Sequence, residues 1–74
     1  MAFDYRKLKG RIIEKYDSQR MFAEAMGLST RSLSLKMTGK RAWKQEEIVK
    51  ASKILDIPAS EISAYFFTLK VKSS

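Results

Sequence analysis

Residues 18–40, SQRMFAEAMGLSTRSLSLKMTGK, decide the fold. Ser18 is a good N-cap, and Phe22, Ala23 and Met26 follow at spacings that put them on one face of a helix running from about Gln19 to Met26. Gly27 then takes the position after a helix end where a left-handed backbone is cheap only for glycine, and Leu28 follows as a buried anchor. Ser29 offers a second N-cap, for a helix from about Thr30 to Met37 that Thr38-Gly39 closes. Helices this short are marginal in isolation, so packing against the rest of the chain must hold them.

Upstream, Asp4 is placed to cap a first helix beginning at Tyr5, with Phe3 and Leu8 spaced as a hydrophobic staple. Leu8, Ile12 and Tyr16, with Ile13 beside them, draw an apolar stripe, with Arg6, Lys7, Lys9, Arg11, Glu14 and Lys15 on the other face. Gly10 interrupts the helix interior at a cost of about 1 kcal/mol relative to Ala, which predicts a close packing contact there. Downstream, Lys40 to Lys44 is a basic loop carrying Trp43, which with Ile48 forms a second staple at the start of a helix spanning Gln45 to Leu55. Asp56-Ile57-Pro58 breaks that helix, and Pro58 opens a fifth, to about Tyr65, with Ile62 and Tyr65 or Phe66 facing inward. Phe67, Leu69 and Val71 then alternate with polar residues at period two, predicting a short strand. The expected fold is all-α: five helices and a short C-terminal strand in a single domain, 1–74, with its core in about 4–66 and a tail at 67–74.

Composition narrows the function. The chain is 45% hydrophobic, too apolar for disorder, yet no apolar run reaches the roughly 20 residues of a membrane span. Charges fill the N-terminal segment where a secretory signal needs apolar residues, so a soluble, cytoplasmic, nucleoid-associated protein is expected. Cysteine and histidine are both absent, which removes thiolate metal sites, the commonest nitrogen ligand of zinc and the usual general base. The carboxylates are scattered, so neither an enzyme nor a cofactor or metal is expected. Fifteen Lys plus Arg against eight Asp plus Glu give +7, the profile of a polyanion binder. Between Glu24 and Glu46 there is no acidic residue, while Arg31, Lys36, Lys40, Arg41 and Lys44 all fall inside.

The 18–40 stretch resembles the helix-turn-helix of the phage Cro and repressor type, over about Leu8 to Ile62. Ala23 supplies the small residue of that motif, Gly27 its turn glycine, and Phe22, Met26, Leu28 and Leu33 its apolar anchors. SLSLKMTGK and the Ala-Trp after it are also similar to a small set of Cro-like phage regulators. Lys36 departs, standing where the motif has its last apolar anchor. Its stem would lie across the core while the ammonium reaches a phosphate.

The resemblance implies a transcriptional regulator that binds a double-stranded DNA operator, with base-reading residues at Thr30, Arg31, Ser34 and Leu35. Arg31 can take guanine O6 and N7 together, and Leu35 is either a contact to a thymine methyl or a surface residue. Phosphate contacts are expected from Gln19, Ser29, Lys36, Lys40 and Arg41, with a solvated first-turn residue as the lesser reading of Gln19. Lys7, Lys9, Lys15, Lys50 and Lys53 are expected to solvate outer faces, and Tyr5, Tyr16 and Trp43 to pack instead of stacking on bases. One module reads one half-site, so a homodimer on a pseudo-palindrome is expected, with Tyr65, Phe66, Phe67, Leu69 and Val71 as its interface. The alternative for that tail is folding back on its own core. No small-molecule ligand or membrane contact is expected, and the rival function is a protein-binding module, anti-repressor or antitoxin-like, on the same fold.

Overall fold

In the structure, a computed structural model, residues 3–69 are described. They form five α-helices: α1 Arg6–Tyr16, α2 Gln19–Met26, α3 Thr30–Met37, α4 Gln45–Ile54 and α5 Ile62–Phe66. The all-α expectation holds, and α2 and α3 have the expected limits.

The turns follow from the side chains that end each helix. Ser18 Oγ accepts the Met21 N–H at 3.2 Å and Ser29 Oγ accepts the Ser32 N–H at 3.1 Å, so both serines cap as expected. Gly27, at φ 74°, donates its N–H to carbonyls at the end of α2. Asp17 ends α1 at φ 65° without glycine's freedom, and its N–H still reaches Ile13 O at 3.0 Å. The start of α1 differs from expectation. Tyr5, not Asp4, is the N-cap residue, and Asp4 acts from one position further out, its Oδ1 accepting the Arg6 N–H at 2.9 Å.

The core is continuous from Leu8 and Ile12 of α1 through Phe22, Ala23 and Met26 of α2 and Leu33 of α3 to Ala51, Leu55 and Ile57. Ile13, expected beside the α1 stripe, is exposed instead, because it lies one position round the helix from Ile12. Side chains from α1 and α4 also satisfy carbonyls left open at helix ends. Arg11 Nε donates to Leu55 O at 2.8 Å and its outer nitrogen to Asp56 O at 2.9 Å, while Lys50 Nζ reaches Met26 O at 3.3 Å. Lys15 pairs with Asp56 at 3.0 Å, and Lys7 Nζ sits 4.8 Å from the Tyr65 ring centroid. Lys7, Lys15 and Lys50 are exposed, as expected of outer-face lysines, and each also makes one of these contacts.

Three further expectations are corrected. Gly10 makes no close contact: it is exposed, and an added Cβ would meet open space. The fifth helix does not run on from Pro58. Pro58 keeps an extended backbone (ψ 151°), and a 3₁₀ turn over Ala59–Glu61, closed by Glu61 N–H to Pro58 O at 2.8 Å, precedes α5. The period-two tail forms no strand within the described residues. It makes one isolated antiparallel bridge, Phe3 with Leu69, beside a 2.6 Å hydrogen bond from Asp4 N to Thr68 O; Val71 lies outside the described residues.

Candidate nucleic-acid interface

The outer face of α3 is set by what its inner face buries. Leu33 is buried, so Thr30, Arg31 and Ser34 project away from the core and are exposed, while Leu35 is half-buried at the helix edge. Beyond the C-terminal end, Gly39 at φ 80° turns the chain, and Lys40 and Arg41 both donate their backbone N–H to Leu35 O, at 2.9 and 3.1 Å. Their side chains are exposed, and Arg41 also approaches Ser32 Oγ at 3.4 Å. The backbone thus folds two cations back against the helix whose outer face carries Arg31.

Gln19 reaches the same surface. With Lys9 of α1, Ser34 of α3 and Thr38 just beyond it, Gln19 lines an open groove of about 540 Å³, whose other walls are Phe3, Tyr5, Met37 and the Asp4–Arg6 pair. Lys9 is thus on the groove and not on a remote outer face. Sequence spacing within one helix does not reveal that, because the groove is made by three helices. Ser29 belongs to the surface with its oxygen committed: it caps α3 and also donates to Ser32 Oγ at 3.0 Å.

Lys36 does not reach this surface. Its side chain is 3% exposed, and its Nζ pairs with Glu47 Oε1 at 2.8 Å and donates to Ala42 O at 3.2 Å. A phosphate cannot approach an ammonium enclosed in this way, so the phosphate-contact assignment is corrected. The sequence does not single out Glu47; its one signal is a charged residue standing in an apolar anchor's place, which demands a partner if buried. Burial pushes the Glu47 carboxyl up, but the hydrogen bonds from Lys36 and from the Lys44 N–H (2.8 Å), with the charges of Lys36 and Lys44, outweigh it and hold the group below its usual range.

Trp43 packs, as expected. Its ring meets Phe66 edge-on at 5.2 Å and Lys36 Nζ lies 5.9 Å from its centroid, while its indole N–H is buried without a hydrogen-bond partner. Tyr16 likewise leans on Phe22 at 5.6 Å. The interface residues expected in the tail separate into two groups. Tyr65 and Phe66 are core residues, 8% and 1% exposed, because with Ile62 they share the inward face of α5. They are therefore removed from any surface contact, and Phe67 and Leu69, 48% and 46% exposed, remain. Among the described residues no group of His, Cys, Asp or Glu could hold a metal ion, and no helix is long and apolar enough to cross a membrane.

Comparison with known proteins adds a relative and a family. The chain is similar to the modulator of repression (MOR) of the temperate bacteriophage TP901-1 from Lactococcus lactis, whose solution structure it matches with a TM-score of 0.81 and 47% identity over 97% of each chain. No curated protein matches. The pattern of a family described as "Protein of unknown function (DUF739)" matches residues 1–69, and with that extent of agreement the chain belongs to this family.

Proposed function

We propose that this chain is a regulator acting on a phage repression switch, and that it does so by binding duplex DNA through the outer face of α3. The observation that carries the reading is the joint exposure of Thr30, Arg31 and Ser34 on α3 with Lys40 and Arg41 folded against its end, in a stretch free of acidic residues from Glu24 to Glu46. Arg31 is the base reader, with Thr30, Ser34 and the edge of Leu35 beside it. Lys40, Arg41, Gln19 and Lys9 hold phosphates. The role is binding, not catalysis. The likeness to a modulator of repression supports the regulatory setting.

A second reading has its own support: the same surface engages a repressor protein instead of DNA. The matched protein is named for its effect on repression, and with Lys36 enclosed the α3 face keeps one long polar side chain, Arg31, for reading bases. Salt separates the two. Duplex binding through about six phosphates loses about three decades of affinity between roughly 50 and 200 mM salt. A shallow slope on every duplex, together with a stoichiometric complex with the repressor of the same phage, would overturn the DNA reading in favour of the protein one.

A further inference from the structure

Lys36 is the point at which α3 leaves its apolar pattern, and its partners all come from the chain that follows it. Ala42 O and the Trp43 ring belong to the loop after α3, and Glu47 stands in the first turn of α4. Glu47 in turn accepts the N–H of Lys44, the residue that starts α4. The Lys44 ammonium has no lone pair to return a cap, so only the Glu47 half of a capping box exists, and the same carboxylate serves Lys36. One buried ammonium therefore fastens the C-terminal half of α3 to the loop and to the helix beyond.

A methionine would fill that space without desolvating a charge. Replacing a buried ion pair by apolar residues of similar volume is often neutral or stabilising, so the pair is not explained by stability. What it has and an apolar contact lacks is direction: hydrogen bonds at 2.8 and 3.2 Å fix where the loop runs relative to α3. That loop carries Lys40 and Arg41.

We propose that Lys36 and Glu47 are a positioning pair, which sets the angle of α3 and the path of the 38–44 loop so that Arg31 and Ser34 on one side and Lys40 and Arg41 on the other form one rigid contact surface. The inference rests on the reading of that surface as the DNA contact for its affinity readout, but not for its structural one.

The test is the double variant Lys36→Met/Glu47→Gln, in which Gln can still accept the Lys44 N–H. It is expected to melt within about 5 °C of the wild type. The amides of Lys40 and Arg41, bonded to Leu35 O, are expected to exchange about tenfold faster, while core amides such as those of Ile12 and Phe22 keep their rates. Affinity for the duplex selected by the wild type is expected to fall about tenfold, the loss from misaligning one good base contact. Unchanged loop exchange and affinity would overturn the proposal, and so would a variant that fails to fold or melts far lower with all amides exchanging faster, since the pair would then serve stability alone. If the wild type binds no duplex, the DNA reading falls by itself, and loop exchange still decides for or against the positioning pair.

Discussion

Arg31 and Lys40 lie on one surface but should respond differently to removal, because a planar guanidinium over a base edge carries sequence information and an ammonium on a phosphate carries none. Arg31→Ala is expected to lower the preference for the selected duplex over random DNA by about 1–3 kcal/mol, whereas Lys40→Ala weakens both alike and flattens the salt slope by about one unit. Titrations of both variants against both duplexes check this; equal losses for Arg31→Ala on the two would mean that α3 is not the reader. Glu47 makes a second prediction, in acid. Its folded pKa lies below the ordinary value of 4.5, so its contribution to stability is fully present above that value and is lost as pH falls through the folded one. Denaturant midpoints are expected to drop more steeply for the wild type than for Lys36→Met/Glu47→Gln between about pH 5 and pH 3. Parallel pH profiles would mean that Glu47 adds no acid sensitivity. Lys36 also marks where the site was not legible. Its departure from the apolar anchor pattern was visible, but a snorkelling lysine and a buried ion pair look the same in a sequence, and the partner eleven residues on lies beyond a turn that no helical period spans.

At the scale of elements, the glycine in α1 is the most direct handle on stability. Gly10 is exposed in a helix interior with open space where a Cβ would stand, so the loss of backbone entropy on folding has no packing return. Gly10→Ala is expected to stabilise the chain by about 0.5–1 kcal/mol, raising the thermal midpoint by roughly 4–8 °C at the upper end of that range. Thermal melts decide it, and a lower midpoint would point to a contact that the open space does not suggest. The four long helices were legible almost to the residue, because their caps and spacings agree: Ser18 and Ser29 both cap, and Gly27 turns left-handed between them. The C-terminal end was less so. Pro58 is equally at home before a 3₁₀ turn and at the head of a helix, and the alternation from Phe67 begins directly after the helical triplet Ile62, Tyr65 and Phe66. Two aromatic residues were consequently assigned both to an inner face and to an interface, and the packing of α5 against α1 and α4 resolves them to the core.

For the whole molecule, the net charge of +7 overstates the cationic charge left free at the surface. Among the described residues Arg11, Lys15 and Lys50 are engaged with carbonyls or a carboxylate and Lys36 is enclosed, while Arg31, Lys40 and Arg41 are exposed at α3 and Lys9 lines the groove beside it. If α3 reads duplex DNA as proposed, one such surface spans one half-site, and reading a full operator takes two copies about 34 Å apart on one face of the duplex. With Tyr65 and Phe66 in the core, Phe67 and Leu69 are the exposed apolar residues at that end among the described ones, beside Phe3, whose ring meets Phe67 at 5.8 Å. If duplexes are selected from a random pool, the winners are expected to be pseudo-palindromes with half-site centres about 10 base pairs apart, and light scattering of the bound species should give two chains per duplex. Phe67→Ser with Leu69→Ser is then expected to leave binding to a single half-site intact while removing the gain from the second. Unsymmetrical winners that hold one chain each would sink the dimer and leave a monomer reading a single site. Symmetrical winners with unaltered cooperativity in the double variant would keep the dimer and move its interface away from the C-terminal end.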